Sequence, residues 1–394
     1  MVKKCSLGVD IGTASVKVLA AQIEAKDNIL LIGSGVVPSA GFSKGQLMDA
    51  EALAKAIQGA ISCAGLVTGA AVEAVFLGIG GLEMLSVSGL GSVAVHDGLI
   101  TEADIDRVCR AAVVLVTPDD HQVLHVLPRK FWVDGTLYDD APLGKLGERL
   151  EVDVCVVSIL SSVVDEITHA LSRQGIEVAG VVANAVSQAY VAAERVHPCL
   201  VVDIGAGISD VVLTSQGKTY LAASIPMGGD YVTNDIMQGL GVNRNHAEEI
   251  KRYYAKVSSK LVKQDTVLDC NSDGTTDKMV TYGFLEKVIE SRTEEIMQIA
   301  HQYLQPMLAN YEVETVVLTG GSSLLPSFIK HAEKVFGVKA EVAELNGVLP
   351  AEYACPENTA CYGILRQFSG EILTNKEDRQ GILSIICEKV KRLF

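Results

Sequence analysis

The sequence predicts an α/β protein built from two similar halves with a cleft between them, on three observations. Hydrophobic strands alternate with helices along the chain. The segment Asp10-Ile-Gly-Thr-Ala-Ser-Val-Lys-Val resembles Asp203-Ile-Gly-Ala-Gly-Ile-Ser-Asp-Val, and each segment joins a hydrophobic strand to a second strand. Each copy also opens a run of three predicted strands. Two such copies indicate a duplicated fold in which the two turns face each other across a cleft.

The strand and helix pattern can be followed through both halves. Each half begins with the three-strand run and continues into helices and a further buried strand. The predicted strands are 5–11, 16–23, 29–37, 73–79, 199–204, 210–215, 218–225 and 315–318, and the predicted helices are 50–64, 161–174, 230–239, 244–256, 284–308 and 326–335.

Residues 81–160 differ in character from their surroundings. Thr101 and Asp104 form a capping-box pattern that predicts the start of a helix ending near residue 116. Three strand-like runs follow, at 121–127, 130–134 and 149–160. This segment is therefore predicted to be a small α+β subdomain inserted into the first half.

Composition excludes several classes of protein. At 394 residues the chain exceeds one ordinary domain, and its net charge of −15 argues against nucleic acid as a partner. The 9 cysteines are dispersed without metal-ligand spacing, as is typical of reduced thiols. No uncharged apolar run reaches the roughly 18 residues that a membrane-spanning helix requires.

The repeated turns have the chemistry of a phosphate-binding site. Glycine and small residues let backbone N–H groups approach phosphate oxygens, and hydroxyl and ammonium groups add donors. Asp10 and Asp203 would repel phosphate directly, so we expect them to hold a hydrated Mg²⁺ that neutralises it. The candidate phosphate residues are Gly12, Thr13, Ala14, Ser15 and Lys17 in the first copy, and Gly205, Ala206 and Gly207 in the second.

A third segment supplies a candidate base-binding surface. Leu318-Thr-Gly320-Gly321-Ser322 ends a buried strand just before a helix, so a flat adenine ring could lie against its backbone. Taken alone, this pattern is better explained as an ordinary strand-to-helix turn.

The order of these three loops resembles the actin and DnaK-type chaperone superfamily, and within it the bacterial cell-division family FtsA. The runs that carry the closer resemblance are Gly41-Phe-Ser-Lys-Gly45-Gln-Leu-Met-Asp49, His125-Val-Leu-Pro128-Arg-Lys-Phe131-Trp-Val-Asp134-Gly135 and Ile225-Pro-Met-Gly228-Gly229-Asp230-Tyr-Val-Thr233-Asn-Asp235-Ile236. The resemblance covers about residues 5–368 and the C-terminal tail. It implies a duplicated actin-like (ribonuclease-H-like) fold.

The resemblance also implies a division of the chain into parts. Residues 1–80, with 161–190 and 350–368, would form the first actin-like half, and 191–227 with 309–349 the second. Residues 228–308 would form a subdomain contacting adenosine and the FtsZ tail. Residues 81–160 would contact neighbouring copies or later division proteins.

Several site residues follow from the resemblance alone. Gly228, Gly229 and Asp230 are assigned to the nucleotide site. Glu248 and Lys251 match a superfamily helix whose Glu and Lys touch ribose and adenine, although their spacing alone fits a solvated helix face.

The implied function is that of an adaptor. The chain would bind ATP and Mg²⁺, polymerise with itself, and tether filaments of the tubulin-like protein FtsZ to the inner face of the cytoplasmic membrane at the division site. Arg292 and Glu295 fall in the stretch of the family that binds the FtsZ C-terminal peptide, although an exposed helical pair is the alternative.

Hydrolysis is expected to be slow or negligible. Active ATPases of the superfamily place an acid or Gln in the helix before the second phosphate loop to orient water. Here that region contains Asn184 and Gln188, which could position water but are poor bases. We therefore expect ATP to act mainly as a conformational and assembly ligand.

The C-terminal tail has the pattern of a membrane-surface helix. Residues 369–380 are polar and predict a flexible linker. In 381–394 apolar residues share one helical face and three basic residues oppose one acid, which favours lipid over docking on the protein's own core. The residues expected at the membrane are Ile382, Leu383, Ile386, Lys389, Val390, Arg392, Leu393 and Phe394. A single tail should bind the membrane weakly, whereas a polymer that presents many tails should bind it strongly.

Two other functions remain open on the sequence. An actin-like adaptor of type IV pilus assembly would share the inserted subdomain, but the tail and the 125–135 run favour FtsA. A small-molecule kinase of the same fold would need a catalytic Asp in a substrate pocket, for which the sequence offers no convincing candidate.

Overall fold

The computed structural model describes residues 4–25, 28–65, 71–192, 197–257, 263–269, 279–308, 311–345 and 348–377. The chain begins with a three-strand meander, a short hairpin, a helix and a fourth long strand. These elements are β1 (Lys4–Ile11), β2 (Ser15–Ala25), β3 (Asn28–Pro38), β4 (Phe42–Ser43), β5 (Gln46–Leu47), α1 (Ala50–Cys63) and β6 (Ala71–Ile79).

The inserted subdomain follows β6. A four-stranded antiparallel sheet in the order β7-β10-β8-β9 packs against one helix, which starts at a capping box formed by Thr101 and Asp104. The elements are β7 (Met84–Ala94), α2 (Glu102–Val114), β8 (His121–Val133), β9 (Thr136–Tyr138) and β10 (Arg149–Leu160). Val108, Ala112 and Val154 lie in its core.

Two details of this subdomain differ from the prediction. The runs 121–127 and 130–134 form one continuous strand, β8, because Pro128 sits beside a register shift in the pairing with β10 and the strand continues past it. The strand β7 was not predicted. It lacks a strong hydrophobic pattern because Gly89 and Gly91 let α2 approach, and a Cβ at Gly91 would lie 2.1 Å from the Val108 carbonyl oxygen.

The remainder of the chain completes the first half and builds the second. The second half repeats the meander and adds a helical region with a small hairpin. The elements are α3 (Ser161–Ser172), β11 (Val178–Ala183), α4 (Asn184–Ala192), β12 (Cys199–Ile204), β13 (Ser209–Ser215), β14 (Lys218–Ile225), α5 (Gly229–Leu240), α6 (Arg244–Val257), β15 (Val267–Asp269), β16 (Met279–Thr281), α7 (Tyr282–Leu308), β17 (Thr315–Thr319), α8 (Pro326–Phe336), β18 (Lys339–Val342) and α9 (Thr359–Glu377).

The two main sheets have the same topology. The first runs β11-β6-β1-β2-β3 and the second β18-β17-β12-β13-β14. In each, the meander strands pair antiparallel, and the two strands on the other side pair parallel. The structure therefore confirms the duplicated α/β fold with an inserted α+β subdomain.

Helix α4 lies where the halves meet. Ala185 and Ala189 of this helix share one buried cluster with first-half residues such as Val9 and with Val201 and Val212 of the second sheet. A separate cluster fills the rest of the second half. Because α4 packs closely against both halves, movement of either half displaces it.

The C-terminal region was predicted only in part. Helix α9 continues to Glu377, so the expectation of a flexible linker over 369–380 is wrong for residues 369–377. The membrane helix predicted over 381–394 lies outside the described residues. Among the described helices, none combines the length and apolar character needed to cross a membrane.

Candidate functional site

A cleft of about 1120 Å³ opens between the two halves, and both repeated turns line it. The β1–β2 turn contributes Asp10 and Gly12, and the β12–β13 turn contributes Asp203 and Gly205. Because each turn follows the central strand of its sheet, the duplication itself brings the two aspartates to one site.

The two turns share the same backbone geometry. The Gly12 N–H donates to the Ser15 carbonyl at 3.2 Å, and the Gly205 N–H donates to the Ile208 carbonyl at 3.0 Å. At either glycine, a Cβ would lie 2.9 Å from that same carbonyl oxygen. Glycine is therefore favoured in both turns, because a side chain would force the closely approaching backbone to shift.

The residues opposite the aspartates differ between the copies. Asp10 pairs across its hairpin with Lys17, whereas Asp203 pairs across its own with Asp210. The Lys17 ammonium lies 3.2 Å from Asp10 Oδ2. One turn thus carries an ion pair and the other carries two carboxylates.

Burial and neighbouring charges shift the pKa values of the groups in the cleft. Burial, and then the charge of Asp10, raise the pKa of Asp203 to about 6. Burial, and then Asp203, raise the pKa of Asp210 to about 7, although the Ser224 hydroxyl donates to it. Burial acts to lower the pKa of Lys17, but the carboxylates led by Asp10 outweigh it and raise that pKa. The second turn therefore favours a cation or protons.

Helix α4 places one amide on each aspartate. Asn184 Nδ2 donates to Asp10 Oδ1 at 2.7 Å, and Gln188 Nε2, one helical turn later, donates to Asp203 Oδ2. Both amide side chains are buried. These two amides, which the sequence suggested for orienting water, therefore also hold the two carboxylates in place.

Three buried oxygen atoms in the cleft have no hydrogen-bond partner among the described residues. They are Thr13 Oγ1, Asn184 Oδ1 and Asp203 Oδ1. Buried polar atoms are almost always paired, so unpaired ones beside a cleft indicate a polar ligand. The described residues contain no group of three or more His, Cys, Asp or Glu side chains placed to hold a metal ion unaided. Asp203 Oδ1 nevertheless suits a hydrated Mg²⁺, which usually takes only one or two carboxylates.

The glycine at 320 leaves room for this oxygen. Gly320 has φ +81°, and a Cβ there would lie 1.8 Å from Asp203 Oδ1. Ser322 Oγ donates to the Gly205 carbonyl at 3.2 Å. The third loop is thus joined directly to the second turn.

The segment before α5 is bonded to the second turn. The Gly229 N–H donates to the Gly205 carbonyl at 2.9 Å, and the Asp230 N–H to the Ala206 carbonyl at 2.8 Å. A Cβ at Gly228 would lie 2.5 Å from the Ala206 carbonyl oxygen. Glycine at 228 is thus explained by backbone packing.

Lys251 and Glu248 of α6 are held by protein groups. The buried Lys251 ammonium donates to the Gly229 carbonyl at 3.2 Å and to Thr233 Oγ1 at 2.9 Å, and pairs with Glu248 at 2.7 Å. The spacing alone suggested a solvated helix face, which is wrong for Lys251. This ammonium fixes the turn that enters α5.

All the residues predicted for the nucleotide site line the cleft except Gly207, Gly228 and Gly229. Gly207 instead packs against the first turn, since a Cβ there would lie 2.7 Å from Thr13 Oγ1. Asp210 was not selected from the sequence, although it stands inside the quoted repeat. The sequence feature that could have indicated it is the carboxylate that stands in the second copy of the repeat, where the first copy has Lys17.

The residues predicted for a peptide partner lie elsewhere. Arg292 on α7 makes a bidentate ion pair with Asp235 on α5, with one distance of 2.9 Å, and also pairs with Glu295. Its guanidinium lies 5.7 Å from the centre of the Tyr231 ring. None of these residues lines the cleft between the halves.

Two duplicated halves around such a cleft define a protein of the actin-like class. Solved structures of that class resemble this chain. The PilM–PilN type IV pilus biogenesis complex superposes with TM-score 0.66 and 18% identity, over 92% of this chain and 98% of that chain. MreB 5 of Spiroplasma citri bound to AMPPNP gives TM-score 0.53 and 14% identity, over 96% and 99%. These identities show the fold alone.

Sequence comparison identifies the family. A profile described as "Cell division protein FtsA" matches residues 200–363, and one described as "SHS2 domain inserted in FTSA" matches residues 81–158. The cell division protein FtsA of Pseudomonas aeruginosa is 32% identical over 93% of this chain and 91% of its own length. The chain therefore belongs to the FtsA family of actin-like cell-division proteins.

Proposed function

We propose that this protein binds ATP with Mg²⁺ in the cleft and acts as a nucleotide-controlled adaptor in cell division. The observation that carries the proposal is the pair of geometrically equal glycine turns lining one cleft. Tight turns of small residues suit phosphate oxygens because they let the backbone approach the ligand closely. The actin-like MreB 5 structure bound to AMPPNP supports a nucleotide as the ligand of this fold.

The residues divide between the phosphates and the metal. Lys17 and the turn at Gly12 would bind phosphate oxygens, and Thr13 Oγ1 is available as a further partner. Asp10 and Asp203 would hold Mg²⁺ through water, with Asp210 adding negative charge. The bound ion would neutralise the phosphates and so let them approach the carboxylates.

Hydrolysis is expected to be slow in this arrangement. Asn184 and Gln188 are already hydrogen-bonded to the aspartates, and an amide is a poor general base. Phosphate release at the rate of a typical metabolic enzyme would contradict this part of the proposal.

The adaptor role rests on membership of the family and on the sequence of the tail. The segment 381–394 would lie on the inner face of the cytoplasmic membrane, and Arg292 and Glu295 would contribute to binding the FtsZ C-terminal peptide. Residues 81–160 would contact neighbouring copies or later division proteins. Filament formation would strengthen membrane binding because many weak tails then act together.

The proposal is tested by co-sedimentation with liposomes and an FtsZ C-terminal peptide, using the full chain and a variant lacking residues 381–394. The full chain should carry the peptide into the liposome pellet in the presence of Mg²⁺ and ATP. The shortened variant should bind the peptide in solution and leave the liposomes bare.

The controls separate the three activities. A shortened variant that still pellets with liposomes would contradict the membrane role of the tail. Peptide that stays in the supernatant with the full chain bound to liposomes would contradict the FtsZ-tethering role. Calorimetry without liposomes measures nucleotide binding independently of both.

A further inference from the structure

The nucleotide-site residues leave His125 unexplained, although it opens one of the sequence runs described above. This histidine lies on β8 of the inserted subdomain, and only 3% of its surface is exposed. Its Nε2 accepts the Ala183 N–H at 3.0 Å, and its Nδ1 lies 3.2 Å from the side-chain amide of Gln367 on α9. The inserted subdomain is therefore hydrogen-bonded to the last residue of β11.

That bond reaches the element that holds the cleft aspartates. Ala183 directly precedes α4, whose first residue, Asn184, donates to Asp10 at 2.7 Å. Ser187 Oγ, also on α4, lies 3.3 Å from the side-chain amide of Gln367. The imidazole thus contacts the start of α4 directly and contacts its first turn through Gln367.

The imidazole is a fixed link because it stays neutral. Burial lowers the pKa of His125 to about 4. A neutral ring that accepts at Nε2 carries its proton on Nδ1, so the Gln367 amide is assigned with its oxygen toward that Nδ1–H and its nitrogen toward Ser187 Oγ. Each ring nitrogen therefore has one role, and the ring has one orientation.

The strand that carries His125 also reaches the second half. Arg129, four residues along β8, donates to the Tyr220 carbonyl on β14 at 3.1 Å. Lys218 Nζ donates back to the Arg129 carbonyl at 3.0 Å, and the Ala222 N–H donates to Ser86 Oγ on β7 at 3.1 Å. The inserted subdomain is thus bonded to both halves, so it cannot keep all these contacts if the halves move apart.

We propose that His125 is a positioning residue that couples the inserted subdomain to the cleft, by fixing the start of the helix whose amides hold Asp10 and Asp203. The proposal deepens the nucleotide function and rests on it for the cleft's ligand. A ligand that draws the halves together would move β8 through its bonds to α4 and β14. A partner on the inserted subdomain would in turn change nucleotide affinity by the same factor.

The first test needs no nucleotide. Hydrogen exchange is measured on the full-length wild type and on His125→Leu, His125→Gln and His331→Leu. His331 is a matched control because it is also 3% exposed, while its ring nitrogens make no hydrogen bond within the described part of the chain. In His125→Leu, amides from Ala183 to Gln188 should exchange about five- to tenfold faster, the loss expected for a single hydrogen bond.

The substitution by Gln should restore slow exchange, since its amide oxygen can accept the Ala183 N–H. Equal exchange at α4 in His125→Leu and wild type would overturn the proposal. So would an equal acceleration in His331→Leu, which would show a general loss of stability. Failure of Gln to rescue would assign the effect to packing and overturn the hydrogen-bonding role.

The second test uses nucleotide and the chain's one tryptophan, Trp132, which lies on β8. Its fluorescence should change when Mg²⁺ and ATP bind to the wild type. In His125→Leu, ATP should bind about five- to tenfold more weakly by calorimetry, with most of the Trp132 change lost. A wild type that binds ATP with a silent Trp132, or a His125→Leu variant with an unchanged response, would overturn the coupling.

The two tests fail in distinguishable ways. If the wild type bound no nucleotide, the proposed function would fail, and the exchange experiment would still decide whether His125 fixes α4. If His125→Leu did not fold, Gln367→Met would replace it, with a smaller acceleration at α4 expected and its absence contradicting the link.

Discussion

The β1–β2 and β12–β13 turns have the same backbone but differ in charge, since the first holds an ion pair and the second two carboxylates. Each holds its glycine in the same close contact, 2.9 Å from a Cβ position to a carbonyl oxygen. Opposite Asp10 stands a lysine, whereas opposite Asp203 stands a third carboxylate, Asp210. The two copies thus share the backbone geometry of the turn but differ in the charge of the residue opposite the aspartate.

The difference teaches how a symmetric fold can bind an asymmetric ligand. The first turn has an ammonium for phosphate oxygens. The second has two carboxylates whose pKa values are raised by burial and then by a neighbouring carboxylate, which is Asp10 for Asp203 and Asp203 for Asp210, so a cation is favoured there. A metal–triphosphate presents both charges, and five substitutions test the charges and the geometry of the two turns.

The largest expected effect comes from Asp210→Asn. The folded-state pKa of about 7 lies above the ordinary value of 3.8, so the folded protein binds more protons in that window and loses stability as pH rises through it. Removing the charge should stabilise the protein by roughly 3 kcal/mol at pH 8, with little change below pH ~4. Urea unfolding at both pH values measures this.

The matched control for Asp210 is Asp119→Asn, an exposed carboxyl on the inserted subdomain. It should leave the free energy of unfolding unchanged within about 0.5 kcal/mol. An Asp210→Asn protein no more stable than wild type at pH 8 would show that the second turn carries no excess negative charge.

Next in size is Lys17→Gln, which removes the ammonium beside Asp10. The dissociation constant for Mg²⁺ and ATP should rise about 30- to 100-fold, because charge-assisted contacts to phosphate are lost and Asp10 loses its neighbouring ammonium. Calorimetry measures the constant, with Lys55→Gln on the exposed face of α1 as the control. An equal constant in the two variants would remove Lys17 from the phosphate side.

A smaller effect is expected from Gly320→Ala, compared with Gly337→Ala. Both glycines have positive φ, +81° and +72°, but only at Gly320 would a Cβ meet Asp203, since nothing lies within 4 Å at Gly337. Backbone strain is common to both variants. Gly320→Ala should therefore lower the free energy of unfolding by about 2 kcal/mol more than Gly337→Ala does. Thermal unfolding with and without nucleotide measures the difference. Equal losses would mean that Asp203 can move freely.

The smallest effects are expected for substitutions at the two turn glycines, and the two substitutions should cost the same stability. Gly12→Ala and Gly205→Ala each place a Cβ 2.9 Å from a carbonyl oxygen, so each should cost about 1 kcal/mol of stability, within ~0.5 of the other. Gly59→Ala in α1 is the control, because its nearest atom is 3.8 Å away. Unequal costs in urea unfolding would contradict the equality of the two turns.

The sequence predicted the halves because their signal is local. Hydrophobic runs set the strands, and Asp-Ile-Gly recurs at the same place in each meander. The strand β7 was missed because its glycines serve contact with α2, a tertiary requirement that interrupts the strand-like alternation of apolar and polar residues. Pro128 likewise suggested a break in β8 that pairing with β10 overrides.

The sequence predicted the site residues that stand in a repeated motif. It did not predict the hydrogen bonds that these residues make to distant segments of the chain. Asp10 and Asp203 stand in the repeat, whereas their bonds to Asn184 and Gln188 depend on how α4 crosses between the halves. Lys251 is tied to the Gly229 carbonyl, 22 residues away, which its helical spacing could not indicate. The pKa of Asp210 depends on burial, which the sequence does not report.

Proton release on nucleotide binding tests the charge division most directly. Mg²⁺–ATP is titrated calorimetrically in buffers of different ionisation enthalpy at pH 6.5 and pH 8.5. The folded-state pKa values of about 6 and about 7 for Asp203 and Asp210 predict protons released at pH 6.5, as the cation displaces them, and almost none at pH 8.5. Binding with no proton release at pH 6.5, or no heat of binding in either buffer set, would contradict the account.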